Sequence, residues 1–470
     1  MRYPIGLIVV SAALALALVV SGGVLLLDPP RDLIVSAAFE PATISPNADG
    51  EDDVTRFTYE ISRPAWVSLT FTAEDGEEFI FRDRQPRDAG RYNVLFSGVV
   101  DGFTLPDEDI TGEVVRRLIP DGVYTWRLTA EPQGDGDPAE QTGTLTVQDG
   151  AAELPLLVEF SVQPDVFMPN QDGIADRTQI NVFVNVDHEQ LNVFLLNADG
   201  EQLPVVRREE GRRTGEAGRH LYDYEGGVDI GADPPPDGVY TVVAEVRDAV
   251  GQITRRTASL EIRNGGKPRA EIRGQNVGAT VVFVARPYDE RYFSDSNGWG
   301  ERIAIPDDPA DTSALPVTMP LGDMLVFKLT VDNYGPTPIR TSGPPPGTVY
   351  QFSQRASSLG ALEQSGVWRV GIDCETAEES YRWRWGLGDE ETLQTIEDPV
   401  TGNTYLYLPP GERIVVWGGI RMTEFNPFAN PQVCWAGLIH EDVAITLRNN
   451  NVGRREVRIL PVGETTDGGE

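Results

Sequence analysis

One ordered set of short motifs occurs twice in this chain, and it constrains the fold more than any other feature. The first set opens at Ser45-Pro46-Asn47-Ala48-Asp49-Gly50-Glu51-Asp52-Asp53 and continues through the runs Thr55 to Ser62 and Trp66 to Thr72. It then turns at Glu74-Asp75-Gly76, passes Ala89-Gly90-Arg91-Tyr92 and ends at Pro120-Asp121-Gly122-Val123-Tyr124-Thr125. The second set runs in the same order. It has Met168-Pro169-Asn170-Gln171-Asp172-Gly173-Ile174-Ala175-Asp176, the runs Gln179 to Val186 and Leu191 to Leu196, and the turn Ala198-Asp199-Gly200. Ala217-Gly218-Arg219-His220 and Pro236-Asp237-Gly238-Val239-Tyr240-Thr241 close it. Matching signals in one order imply a single supersecondary plan used twice.

That plan reads as β. The runs are short, rich in Val, Thr, Phe and Tyr, and alternate apolar with polar, as half-buried strands require. Tyr124 to Ala130 and Tyr240 to Asp248 put every second residue on one face. The Asp-Gly pairs between runs supply the positive φ angles of tight hairpin turns. With 48 glycines and 35 prolines in 470 residues, turns are frequent, and the body lacks long helical patterns. Several short strands per hundred residues point to sandwiches whose sheets pack about 10 Å apart. At roughly 100–200 residues per core, the length suggests about three domains. The expected order is 28–152, 153–265 and 266–462, with a linker at Asn264-Gly265-Gly266-Lys267-Pro268 and a patternless, disordered tail over 463–470.

Ahead of the body, Met1-Arg2-Tyr3-Pro4 precedes an apolar run from Ile5 to Leu27 that ends at Asp28-Pro29-Pro30. As a helix the run would be about 34 Å long, enough to cross a hydrocarbon core of about 30 Å. It holds no charge, and Arg2 on its N-terminal side orients residues 1–4 to the cytoplasm and the body outward. A cleaved signal peptide is the competing reading, but its apolar region is usually roughly 7–15 residues. No strong small-x-small cleavage site follows the run, and no Cys follows it to take a lipoprotein anchor. The expectation is one transmembrane signal anchor over 5–27, with the body extracytoplasmic at the cell surface.

A net charge of −34 repels nucleic acid and anionic lipid headgroups, so nucleic acid is not an expected partner. Excess acid also serves solubility. The equal spacing of Asn47, Asp49 and Asp53 and of Asn170, Asp172 and Asp176 admits two readings. Oxygen ligands two apart, a Gly for the bend and a further carboxylate are ingredients of a Ca²⁺ loop, making calcium the one cofactor to consider. An Asx turn that caps its own backbone uses the same residues. The bidentate Glu of an EF-hand is missing, since Thr58 and Asn181 stand at its position.

The sequence Ala-Gly-Arg, then Gly98, then Pro-Asp-Gly-Val-Tyr resembles the immunoglobulin-like domain of flagellar hook-capping proteins, also attached to secreted bacterial proteases. That family has a Trp-Asp-Gly step, for which Phe96-Ser97-Gly98 and Tyr224-Glu225-Gly226 stand here, keeping the aromatic and the Gly. The resemblance covers about half the chain and implies tandem immunoglobulin-like β-sandwiches. In the last third, Val331-Asp332-Asn333-Tyr334-Gly335, Gly347 to Phe352, Trp383-Arg384-Trp385 and Leu408-Pro409-Pro410-Gly411-Glu412 resemble the BsuPI-type proteinase-inhibitor domain. That too is an immunoglobulin-like sandwich, and the segment Ser353 to Ser380 and the stretch after Thr423 depart from it.

Strands are expected there at Met324 to Asp332, Thr404 to Leu408, Arg413 to Trp417, Val443 to Leu447 and Arg455 to Leu460. Cys374 and Cys434 are the only cysteines, and an even count in an exported chain favours a disulfide over two thiols. Tyr381, Trp383 and Trp385 fall on one face of a strand, with Arg382 and Arg384 on the other. Exposed, that stripe would stack on sugar rings or anchor a partner; otherwise it is core.

The three histidines, His188, His220 and His440, have no nucleophile elbow beside them, and no phosphate loop or zinc motif is present. His188 and His220 read as loop surface and His440 as a strand end. The expected function is therefore non-enzymatic. The preferred reading is a membrane-anchored surface scaffold or adhesion protein whose last sandwich meets an envelope protein or polysaccharide. The alternative is an extracytoplasmic proteinase inhibitor or regulator acting through the C-terminal domain.

Overall fold

The alternation over 55–72 yields two strands, Thr55–Ile61 and Ala65–Thr72, in which every odd-numbered residue is buried. The computed structural model describes residue 14 and residues 31–205, 215–275, 278–307, 315–398 and 401–461. The stub 1–4, the anchor 5–27 apart from Leu14, and the tail 463–470 thus lie outside the described residues. Among the described residues no helix is long and apolar enough to cross a membrane. Among the described residues from 31 onward the regular elements are strands and 3-10 turns of three or four residues, so the fold is all-β.

In the first module, Ile34–Glu40, Thr55–Ile61 and Gly90–Phe96 form one sheet. It faces a second built in the order Thr43–Ile44, Ala139–Val147, Gly122–Pro132, Ala65–Thr72, Glu78–Arg87. Phe39 fills the space between the sheets, with ring centroids 4.4 Å from Phe57 and 5.9 Å from Trp126. Phe71 stacks on Phe96 at 4.7 Å. Each such buried ring contributes roughly 1.5–3 kcal/mol of transfer free energy.

The second module repeats the plan. Leu157–Gln163, Thr178–Val184 and Gly218–Tyr224 face Gln202–Pro204, Gln190–Leu196, Gly238–Arg247 and Ile253–Ile262. Registers match between modules. Thr55 opposes Phe96 as Thr178 opposes Tyr224, and Phe71 opposes Phe79 as Leu195 opposes Leu203. Thr55 and Thr178 each donate their hydroxyl to a proline carbonyl, of Pro41 and Pro164 respectively.

The modules are not separated where a linear division would cut them. Val99–Asp101 and Glu113–Leu118 pair with each other, and Glu113–Leu118 also joins Ile253–Ile262 of the second module. One sheet therefore spans both, while Val100 and Ile119 remain in the first core. Gln252, fully buried, holds the connection between them. Its carbonyl accepts from the Leu118 amide at 3.2 Å, and its Nε2 donates to the carbonyls of Ala151 and Glu153 at 3.2 and 3.0 Å.

In the third module Met324–Asn333 is central, flanked by Ala270–Ile272 and Val282–Arg286 on one side and by Arg413–Arg421, then Val349–Gln351, on the other. The facing sheet runs Val317–Pro320, Val452–Leu460, Gln432–His440, Trp368–Cys374, Trp383–Trp385. A side sheet of Ile339–Thr341, Thr404–Leu408 and Gln394–Glu397 carries Tyr407 to the border with the second module.

The expected strand Val443 to Leu447 does not form. Only an isolated bridge, Ala444 to His440, occurs there, and Leu447 is 97% exposed on a 3-10 turn, so this alternation has no sheet to pack on.

Replacing Gln252 with Ala would strand a buried amide and two carbonyls at once. An unsatisfied buried group costs about 1–3 kcal/mol, so Gln252→Ala should lower the urea midpoint of the first two modules by an amount equivalent to about 2–4 kcal/mol. An unchanged midpoint would mean that this contact does not hold the junction.

Candidate functional site

The Asn-x-Asp-Gly-x-x-Asp loops lie where each module's last strand hands over to the next. In the first, Asp53 turns one carboxylate oxygen to the amides of Asn47 and Ala48, at 3.0 and 2.6 Å, and the other to Gly50 at 2.7 Å. Asn47 accepts from the Asp49 amide and Asp49 from the Glu51 amide. The second loop repeats this bonding closely. Asp176 accepts from Asn170, Asp172 and Gly173, Asn170 accepts from Asp172, and Asp172 accepts from Ile174. Ala48 and Gln171, and Gly50 and Gly173, share left-handed backbone, which explains the Gly at the bend.

These are Asx turns. Calcium takes roughly six to eight oxygens, whereas Asp53 and Asp176 point both of theirs at amide protons, which a cation would have to displace. Among the described residues no group of three or more His, Cys, Asp or Glu side chains is placed to hold a metal ion.

The surroundings of the two loops differ. A Cβ on Gly50 would meet nothing within 4 Å, but one on Gly173 would lie 2.2 Å from the Ser365 carbonyl of the third module. Asp49 is exposed, while Asp172 is 2% exposed and accepts a hydrogen bond of 2.6 Å from Tyr407. His440 bonds the Gln171 carbonyl through Nε2 at 2.8 Å, and Arg340 donates to the Ser365 carbonyl at 2.7 Å. The buried Asp172, Tyr407, Arg340 and His440 thus close the border between the second and third modules.

Burial sets the charge states there. For Asp53, desolvation raises the carboxyl, but the amides of Gly50, Ala48, Asn47 and Asp49 together hold it below the ordinary range. For Asp176, burial and then the neighbouring Asp172 charge overcome the same kind of amide bonds and push the carboxyl up to about 7. Asp172 is also raised by burial, against the opposing pull of Tyr407. Burial pushes His440 down to about 4, so it is neutral at pH 7.

The Pro-Asp-Gly-Val-Tyr motifs are structural as well. The hydroxyls of Tyr124 and Tyr240 donate to the carbonyls of Pro120 and Pro236, at 2.5 and 2.7 Å. Asp121 accepts from the Gly150 amide, and Asp237 from the amides of Asn264 and Gly265, so each Asp caps the linker leaving its module.

The proposed binding stripe is corrected. Trp383 and Trp385 are fully buried because the facing sheet supplies an apolar surface for them. Tyr381, 3% exposed, lies outside the strand in a left-handed turn, packs over Gly371 and Gly437 on the other face and donates its hydroxyl to Asn450. Trp385 packs edge-on against Phe327 and Tyr350 and donates Nε1 to the Thr348 carbonyl. Arg384 on the other side bonds Glu363 and Glu441, and Glu441 also takes the buried Arg369. His188 and His220 are not loop surface either. Both are buried, with rings 5.2 Å apart, while His440 does end the strand Gln432–His440.

Cys374 and Cys434 form a disulfide between directly opposed positions of Trp368–Cys374 and Gln432–His440.

No protein-family model matches this chain, and no curated protein matches it. Among solved structures it is similar to a crystal structure of bovine butyrophilin, at 12% identity over 46% of this chain and 92% of that chain, with a TM-score of 0.15.

Two outcomes test this region. The Asp176 carboxyl is raised in the folded chain, so the fold holds more protons than the unfolded chain between its ordinary value of 3.8 and about 7. Its contribution is present at low pH and is lost as pH rises through about 7. Asp53, with the opposite shift, acts only below the ordinary carboxylate value. His440, pushed down to about 4, acts in the opposite sense up to its ordinary value of 6.5, so the comparison with a variant isolates Asp176. Between about pH 5.5 and about pH 8 the thermal midpoint of the parent should fall relative to that of Asp176→Asn. The same pH dependence in both would assign it elsewhere. Separately, closing a loop with a sequence separation of 60 is worth about 4 kcal/mol on the chain-entropy account. Cys374→Ala with Cys434→Ala should lower the unfolding free energy of the third module by about 2–4 kcal/mol, read by guanidinium titration.

Proposed function

We propose that this chain is a membrane-anchored surface protein with no catalytic role, in which immunoglobulin-like sandwiches act as spacers. Residues 5–27 form the anchor and the body is extracytoplasmic, within an adhesion or envelope scaffold that meets a cell-envelope protein or polysaccharide. The observation that carries the reading is how the junctions are made. Gln252 ties residues 151–153 to the strands on either side, and Asp172, His440 and Thr337 tie the second module to the third. A chain that only needed to tether a domain would do so with a loose polar linker. Hydrogen-bonded, buried junctions suit a part that holds its neighbour in place. The internal disulfide suits an oxidising compartment, and the net charge of −34 suits a dispersed, exposed surface.

The test is fractionation of cells expressing the full chain. The protein should pellet with membranes, move to the soluble fraction when residues 1–27 are deleted, and be digested by protease added outside intact spheroplasts. A body that stays protected, or that is found in the cytosol, would overturn the proposal.

A further inference from the structure

The two repeated modules differ at one place that the repeat makes easy to find. In the first, Phe79 and Tyr124 border a recess between the Glu74-Asp75-Gly76 turn and the Pro-Asp-Gly-Val-Tyr corner. The chain's own residue fills it: the Phe103 ring lies 4.8 Å from Phe79, with the Arg117 guanidinium 5.0 Å from the Phe103 centroid. Arg117 also donates to the Phe103 carbonyl and pairs with Glu108. An aromatic ring beside an arginine is thus the plug.

Leu203 and Tyr240 hold the corresponding positions in the second module, by strand register and motif. The segment that supplies the plug, residues 99–119 in the first module, is shortened to 227–235 in the second. Among the described residues the recess there is a groove of about 850 Å³. Its walls are Leu203, Tyr240 and the prolines 234–236, with Ile230 and Val239 standing 79% and 65% exposed at its mouth. Asp199 and Glu201 lie on one rim; on the other, Asp233 pairs with Arg269 and Asp237 caps the linker amides.

We propose that this groove is a docking site for an extended segment of a partner protein that presents an aromatic side chain next to an arginine or lysine, taking the place that Phe103 and Arg117 take in the first module. The apolar walls accept the ring and the rim of Asp199 and Glu201 accepts the cation. The same charge argues against a second copy of this chain as occupant, since each copy carries −34. The site does not depend on which side of a membrane the body occupies.

The probe is a fluorescein-labelled hexapeptide, acetyl-Gly-Ser-Phe-Arg-Ser-Gly, titrated against the detergent-solubilised full chain by fluorescence anisotropy. Saturable binding is expected, weakening with added salt. Ile230→Asp, at an exposed position whose thermal midpoint should stay that of the parent, should weaken it at least about tenfold. Replacing the peptide's Phe by Ala or its Arg by Glu should do the same. A probe that does not saturate, or that binds Ile230→Asp or the Ala peptide equally well, would overturn the proposal. So would a photo-crosslinker placed at Val239 that captures residues 206–214 of the same chain instead of the peptide.

Discussion

Stacking sandwiches end to end buries loop backbone, and every buried N–H and C=O must then find a partner within the protein. This constraint explains residues that would otherwise look catalytic or metal-binding. Asp176 satisfies three amides of a loop that the third module covers, while Asp53 serves three amides of the matching loop, which is left exposed. Asp121 and Asp237 receive the linker amides, and Gln252 serves one amide and two carbonyls from a fully buried position. Short polar side chains with acceptor oxygens solve this problem, so the density of Asp and Asn at the module ends is a consequence of architecture.

Duplication makes the effect of surroundings visible. The loops 47–53 and 170–176 have nearly the same hydrogen bonds, yet Asp53 is held low and Asp176 is raised. What differs is the neighbour. The third module covers the second loop so closely that Gly173 and Gly366 approach backbone to backbone, leaving no room for a Cβ at either. Desolvation then outweighs the amides. A repeated motif therefore fixes local geometry without fixing the electrostatics of its carboxylates.

The strands of the repeat were legible because each has one buried and one exposed face, which writes a period of two into residues such as 55–72. The third module hides its strands. Trp368–Cys374 is buried at every residue, so it carries no alternation, and the segment 353–380 read as a departure from the family pattern. Trp383 and Trp385 showed the right periodicity, but periodicity alone does not say whether the covered face meets a sheet or solvent, and Tyr381 leaves the stripe because its left-handed backbone lies outside the strand. Val443 to Leu447 alternates without a partner strand. The crossing of Glu113–Leu118 into the second module's sheet is a long-range pairing, which no local signal encodes. The cysteine pair was legible because only one pairing was possible.

Loop length decides what each copy of the fold does with a shared recess. In the first module the long excursion after Gly98 meets two demands together: it lends Glu113–Leu118 to the neighbouring sheet and drops Phe103 against Phe79. The first module thereby closes its own recess while binding its neighbour. In the second, the junction onward is made at the same end of the plan, through Asp172 and the linker at Asn264, without a strand from residues 227–235. Among the described residues none stands where Phe103 stands in the first module. Exposed Ile230 and Val239 then stand at the mouth of a space that the shorter loop does not fill, which accounts for apolar side chains on a surface that is otherwise strongly acidic.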